Sequence, residues 1–427
     1  MHPNALLALC AELLHTVASA QAPADASVSQ FFRTNPKLGA RERHCLAETT
    51  YQFLRQRLWC QHAARQAGGA STTPQAVARR WAALAWQGDR TFLDAALDDG
   101  ERSWLAKVQA QPAAERAEKL RHNLPDWLAA GLRDELGDES QFWAFVDAMS
   151  APAGLDLRAN TLKAKRDDVR SELAKAGIES ADTPHSPWGL RLSGKPALQR
   201  HVAFVEGRFE VQDEGSQLLV LLLGAGRGQM VVDFCAGAGG KTLALGAAMR
   251  NTGRLYAFDT SAHRLQALKP RIVRSGLQNV YVSQIAHERD DRVKRLYGKV
   301  DRVLVDAPCS GLGTLRRNPD LKWRQSPASV ESMRTAQANI LCAAARLLKP
   351  GGELVYATCS LLRSENEAQA EAFEAVQGGH FERLDAAARL SAAGVAKAQD
   401  LVQDGFLRLW PQRHGCDGFF GALWSKR

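Results

Sequence analysis

The sequence predicts an α/β protein: a doubly wound, parallel-sheet domain preceded by a small α+β module and an all-α amino-terminal domain. Three observations carry this reading. From residue 216 onward, strand and helix alternate through "MVVDF", "LALGAAM", "RLYAFD", "RLQALKPRIVRSG", "NVYVSQ", "DRVLVDAP", "AQANILCAAARLLK" and "ELVYATCS". Alternation of that length implies parallel strands joined by crossover helices. Upstream, the short strand-like runs "LDLRAN", "GLRLSG" and "FVEGRFEVQD" surround one helix, "RDDVRSELAKAG". Before "APAG" at 151–154 the pattern is helical almost throughout. The domains are therefore placed at 1–150, 151–215 and 216–427.

The elements can be justified in order. "MHPNALLALCAELLHTVASAQA" ends in small residues as a signal peptide does, but it lacks a basic start, and Glu12 and His15 interrupt the apolar run. Leu6, Leu9, Leu13 and Val17 recur at helical spacing, which predicts an amphipathic core helix. "ERHCLAETTYQFLRQRLWC" sets Leu46, Tyr51, Leu54 and Leu58 close to the spacing of a buried helical stripe. "QAGGASTTPQAV" reads as a loop. "AAGLRDELGDESQFWAFVDAM" reads as two helices broken at Gly137, with Asp138 or Ser140 as cap. No run is long enough to span a membrane.

Composition narrows the function. The 427 residues suffice for two or three domains with buried cores. Apolar content of 45% and charged content of 24% are those of a soluble globular protein. A net charge of +9 favours a polyanionic partner such as nucleic acid. The eight cysteines include no C-x-x-C pair and no Cys/His ligand spacing, so neither a zinc site nor a disulfide framework is indicated. Reduced thiols in a cytoplasmic protein are expected.

"FCAGAGGKT" at 234–242 imitates a phosphate-binding loop. That motif needs a glycine five residues before Gly240, where this chain has Cys235. A dinucleotide G-x-G-x-x-G fails too, because Thr242 stands at its last glycine. What remains is a glycine-rich turn after a strand ending in Asp233, with Asp259 ending the next strand. A carboxylate there suits a ribose diol. Small residues at Ala236, Gly237, Gly239 and Gly240 admit a ligand close to the backbone. The loop suits an adenosine ligand without choosing between cofactors.

Two cysteines sharpen the choice. "DAPCSGLGT" and "YATCS" each follow a strand, and in a doubly wound sheet both reach the carboxyl edge where ligands bind. Packing is the default fate of a free cysteine. Cys10, Cys45, Cys60 and Cys342 fall on apolar helical faces and read as core, while Cys235 reads as part of the loop fold. Cys309 and Cys359 end strands at turns, and two such thiols beside an adenosine-type pocket invite covalent catalysis.

"DFCAGAGGKT", "AFDTSAHRL", "LVDAPCSGLGTLRRNPDLKW" and "KPGGELVYATCSLLRSENE" resemble the successive motifs of the Sun/Fmu (RsmB-type) RNA cytosine-5 methyltransferases. The likeness extends to "LDLRANTLKAKRDDV", "FEVQDEGSQL" and "DGFFGALW", and covers the chain from about residue 122 to the end. "LGARERHCLAETTYQFLRQ" is similar to the helical, NusB-like domain of the RsmB branch. The resemblance implies a Rossmann-like class I methyltransferase domain, S-adenosylmethionine as cofactor, and RNA as partner, with 16S ribosomal RNA the expected substrate. A monomer is expected. Transfer RNA or another RNA stays open as substrate, as does a non-catalytic role in ribosome assembly.

By that resemblance, Cys359 is the thiolate that attacks carbon 6 of cytosine and Cys309 aids product release. Asp306 would hydrogen-bond the N3 and amino edge of the base, carrying a proton at least transiently. Lys241 is a cation beside the chemistry. Cofactor contacts carry over to the backbone of Cys235, Ala236, Gly237, Ala238, Gly239, Gly240 and Lys241, and to Asp259, Arg264 and Asp306. The family's Ala-Pro is replaced by Gly237-Ala238, which predicts a less rigid turn, and Ala286 stands where an aspartate for the adenine amine is expected. Arg317 and Trp323 in "TLRRNPDLKWRQ", with Arg158, Asn160 and Lys163 in the small module, are the RNA-contact candidates. Pro308-Cys309 also resembles the nucleophile motif of DNA cytosine enzymes, so the choice of nucleophile needs a direct test.

Overall fold

A computed structural model describes residues 1–66 and 73–427. The chain forms two compact units: residues 1–151 with 315–326, and residues 152–314 with 327–427. Among the described residues, no helix is long and apolar enough to cross a membrane.

The first unit is helical, as expected. Its opening helix, Pro3–Ala18, buries Leu6, Leu13 and Val17, in a core shared with Phe53 and Leu54 of the helix Ala40–Arg55. The expected loop "QAGGASTTPQAV" lies outside the described residues at 67–72. Beyond them it is shorter than expected, because Thr73 accepts a hydrogen bond from the Ala76 N–H and Pro74 starts the helix Pro74–Ala85. Gly137 ends the helix Asp126–Leu136 in the left-handed conformation, and Asp138, not Ser140, caps the next helix, Glu139–Ser150.

The second unit contains both sheets. The smaller has β1 (Leu155–Ala159), β2 (Ser180–Asp182), β3 (Gly189–Leu192) and β4 (Phe209–Val211) in the order β2-β3-β1-β4. All its pairings are antiparallel, and the helix Arg166–Lys175 contributes Val169 and Leu173 to its core. β2 is the one strand here that the sequence pattern did not suggest.

The larger sheet has nine strands: β5 (Met230–Asp233), β6 (Arg254–Asp259), β7 (Val280–Gln284), β8 (Val300–Asp306), β9 (Leu348–Thr358), β10 (Phe381–Arg383), β11 (Val402–Gln403), β12 (Phe406–Leu409) and β13 (Phe419–Lys426). The five strands read from the sequence, in spatial order β9-β8-β5-β6-β7, are parallel. The expectation of a wholly parallel sheet is corrected at the other end. There β13 pairs antiparallel with β9, and β12, β11 and β10 continue antiparallel. The sheet is therefore mixed.

The central strands are buried on both faces. Val231, Leu304 and Val355 point into one apolar cluster, and Val232, Val303, Val305 and Tyr356 into the other. This period-two partition explains why the strands read as continuous apolar runs. Parallel register then aligns their ends, with Asp233 opposite Leu304 and Asp306 opposite Ala357. The order reverses between β5 and β8, and the crevice beyond such a reversal is where open α/β sheets bind ligands.

Candidate active site

β5 ends in Asp233, β6 in Asp259, β8 in Asp306 and β9 in Thr358, all at one edge of the sheet. After β5 the chain turns through the glycine loop into the helix Gly240–Ala248. Gly239 has φ 86°, and a Cβ there would lie 2.0 Å from the Leu268 side chain, so only glycine fits. Gly237 is also left-handed, at φ 56°, but a Cβ there would meet nothing. The space beside it is open to a ligand.

The Lys-Thr that imitated a phosphate loop is engaged elsewhere. Lys241 Nζ donates to Asp306 Oδ2 at 2.7 Å, with the lysine side chain only 11% exposed. It is not a solvated loop lysine. Burial alone would depress the ammonium, but Asp306, helped by Cys359 and Asp233, raises it above its ordinary value. The Thr242 hydroxyl donates to Asp233 Oδ2 at 2.6 Å, while Asp233 Oδ1 is buried without a partner. Burial pushes the Asp233 carboxyl up to about 7, against the Thr242 hydrogen bond.

Asp259 is buried. Its Oδ2 accepts from the Gly237 N–H at 2.8 Å, its Oδ1 from the Ser261 N–H at 2.7 Å, and Arg264 Nη2 lies 3.1 Å from Oδ1. A carboxylate has about four acceptor positions, so capacity remains for hydroxyl donors. The open face of Gly237, the Asp259 carboxylate and the unpartnered Asp233 oxygen together fit a nucleoside-bearing cofactor. The less rigid turn expected from Gly237-Ala238 has a compensation. Arg271 Nη1 donates to the Ala238 carbonyl at 2.7 Å and Nη2 to Glu210 Oε2 of β4 at 3.0 Å. Glu210 is buried and also pairs with Arg274. Residue 286 does fall just beyond β7, but its side chain is exposed alanine, and its N–H donates to Asp290 Oδ2 at 3.0 Å.

Opposite the loop lie the two thiols, with Cys309 Sγ 3.4 Å from Cys359 Sγ. The turns that carry them interlock. The Gly313 N–H donates to the Cys359 carbonyl, and the Gly418 N–H to the Gly313 carbonyl, each at 2.8 Å. A Cβ on Gly313 would sit 2.0 Å from that second backbone, so the approach requires glycine. The Cys309 thiol is held well above its ordinary value by its hydrogen bond with Cys359, then by burial and by the charges of Cys359 and Glu365. Cys235 is raised by burial and by Asp306, Asp233 and Asp259, which makes it a poor nucleophile and suits its place in the loop.

Sequence reading missed Glu365. This fully buried carboxylate accepts hydrogen bonds from Ser310 and Ser360, the residues that follow the two cysteines. It lies in "RSENE", a short 3-10 turn without periodicity, and its only signal was an acidic run directly after a predicted strand end.

Two of the outlying candidates are corrected. Arg158 is 1% exposed, donates to Gln212 Oε1 at 2.6 Å and is drawn down to about 10 by burial. Asn160 is buried and donates to the Gly207 and Ser275 carbonyls. Both brace the small module rather than presenting a surface. Lys163 is exposed, but its ammonium donates to the Glu206 and Arg274 carbonyls at 2.7 Å. Trp323 is half-buried and packs against the helical core of the first unit, with the Arg57 guanidinium 5.0 Å from its ring. Arg317 is partly exposed in the same segment. Of the cysteines expected in the core, Cys10, Cys45 and Cys60 are buried, whereas Cys342 is exposed on the outer side of the helix Pro327–Ala345.

Known proteins resemble this chain in both sequence and fold. Residues 220–425 match the family model described as 16S rRNA methyltransferase RsmB/F, and residues 124–199 match the ferredoxin-like domain of RsmF/B-like methyltransferases. A probable ribosomal RNA small subunit methyltransferase B of Synechocystis sp. is 37% identical over 306 residues, covering 71% of this chain and 67% of that protein. The crystal structure of PH0851 superposes with a TM-score of 0.78 at 25% identity over 99% of both chains. A methyltransferase homolog from Pyrococcus horikoshii gives a TM-score of 0.60 at 27% identity, over 72% of this chain and 97% of its own.

Proposed function

The chain belongs to the RsmB/F family of 16S rRNA methyltransferases, and from that premise we propose that it methylates carbon 5 of a cytosine in 16S ribosomal RNA through a covalent bond to Cys359. The observation that carries this reading is the thiol pair, 3.4 Å apart, beside the Lys241–Asp306 ion pair. Pure RNA binding needs neither thiol. S-adenosylmethionine is the cofactor, and when bound it supplies an electrophilic methyl group carried on a sulfonium.

Carbon 5 of cytosine is too weak a nucleophile to take that methyl group unaided. Addition of the Cys359 thiolate to carbon 6 moves the ring's double-bond electrons toward carbon 5 while N3 takes up a proton, so one hard step becomes two easier ones. In this reading Asp306 bonds the N3 and amino edge of the base and hands N3 a proton that the Lys241 ammonium, its partner at 2.7 Å, resupplies, while Lys241 adds positive charge near the attacking sulfur. Release then requires two bonds to break. The carbon 5 proton leaves, its electron pair restoring the ring double bond, and the carbon–sulfur pair returns to Cys359. Cys309, in contact with that sulfur, aids both events. The target base must be unpaired or flipped out to reach the thiols. The helical amino-terminal unit, whose "LGARERHCLAETTYQFLRQ" resembles the NusB-like domain of the RsmB branch, is read as an RNA-holding part.

The test is to incubate Cys309→Ala and Cys359→Ala proteins with cofactor and 16S RNA and run denaturing gels. Cys309→Ala is expected to accumulate a protein–RNA adduct, and Cys359→Ala to form none. The reverse pattern would exchange the two roles. Wild-type protein that neither forms an adduct nor transfers methyl would sink the enzymatic reading. Mapping 5-methylcytosine in 16S and transfer RNA with and without the protein decides the substrate.

A further inference from the structure

The two thiol-bearing turns are fastened to a single side chain. Glu365 Oε1 accepts from the Ser310 N–H at 2.9 Å and from Gln337 Nε2 at 3.0 Å; its Oε2 accepts from the Ser310 and Ser360 hydroxyls, each at 2.5 Å. Its own carbonyl accepts from Tyr356 OH of β9 at 2.6 Å. Glu365 is fully buried and forms no ion pair among the described residues. Four donors converge on it, the complement expected around an ionised carboxylate.

Charge around the thiols is uneven. The Lys241 ammonium interacts favourably with Cys359, whereas the Cys309 thiolate is disfavoured by its hydrogen bond with Cys359, by burial, by the Cys359 charge and further by the Glu365 charge. Only one of two sulfurs at contact distance can readily ionise, because two adjacent thiolates repel. We propose that Glu365 is the positioning residue that decides between them: it locks the thiols at contact distance, and its charge keeps the proton on Cys309, leaving Cys359 as the attacking sulfur. The catalytic meaning rests on the function proposed above, but the ordering of the thiols belongs to the free protein.

The test therefore needs neither RNA nor cofactor. The full chain is alkylated with iodoacetamide across a pH series, and modification at Cys309 and Cys359 is followed separately by mass spectrometry. In wild type, Cys359 should react faster by roughly tenfold. Glu365→Gln keeps the shape and removes the charge, so the ratio should narrow by about threefold, and Glu365→Asp should restore much of it. Cys309 reacting first in wild type, or an unchanged ratio in a folded Glu365→Gln protein, would overturn the proposal. A Glu365 that only braces the fold would lower Tm and leave the ratio alone. If Glu365→Gln does not fold, the wild-type order still decides, together with Ser360→Ala, which loses one hydroxyl donor, keeps the charge and should keep Cys359 first. An intact order in a protein without methyl transfer would refute the proposed function and leave this inference standing.

Discussion

The glycine loop and the cysteine turns lie at the same sheet edge but are built on different principles. The loop is shaped by backbone: left-handed glycines, the Gly237 N–H on Asp259, and acids buried beneath it. The turns are shaped by side chains, with two serines, a glutamine and a tyrosine arranged around Glu365. A backbone-built region leaves room for a ligand. A side-chain-built region fixes reacting atoms. Changes in the turns should therefore lower kcat, and changes in the loop should act on cofactor affinity or on stability.

The largest effect is expected at Cys359. Cys359→Ala should lose at least about three orders of magnitude in methyl transfer, measured with labelled cofactor, because the covalent route is removed. Asp306→Asn comes next. It strands the largely buried Lys241 ammonium and removes a proton-carrying contact, so kcat should fall roughly a hundredfold with a measurable loss of Tm. A normal kcat there would break the division between the two regions. Asp259→Ala should raise the dissociation constant of the demethylated cofactor about tenfold or more in titration calorimetry, with kcat at saturation changed far less.

The smallest effect on activity is expected at Asp233, where pH sharpens the comparison. Its carboxyl is raised in the fold to about 7 from an unfolded value near 4. The native state thus binds more protons than the unfolded chain between those values, and its stability falls as pH rises through that window. Asp233→Asn removes this penalty. Its stability relative to wild type in urea titrations should grow from about pH 4 to about pH 7 and then level off.

Sequence made much of this legible, for identifiable reasons. Parallel strands share an edge, so the strand pattern alone brings "DAPCS" and "YATCS" together. Of the antiparallel strands, β10, β11 and β12 are too short to carry a pattern, and β13 is set by a distant partner, β9. Arg158 was misplaced because Leu157 and Ala159 point one way and the alternation sends Arg158 to the other face. That face is covered by Gln212, which lies 54 residues away in the chain. Glu365 was missed for a related reason: its donors come from three separated segments, and no local pattern announces such a convergence.

The chain of contacts from Glu210 through Arg271 to the Ala238 carbonyl has a thermodynamic side. It joins the small antiparallel sheet to the loop at the mouth of the large one. Whatever loads the sheet enough to shift Glu210 changes the free energy of holding the loop, and linkage makes that exchange reciprocal. The firmness of the loop is thus set in part by a side chain that belongs to a different sheet.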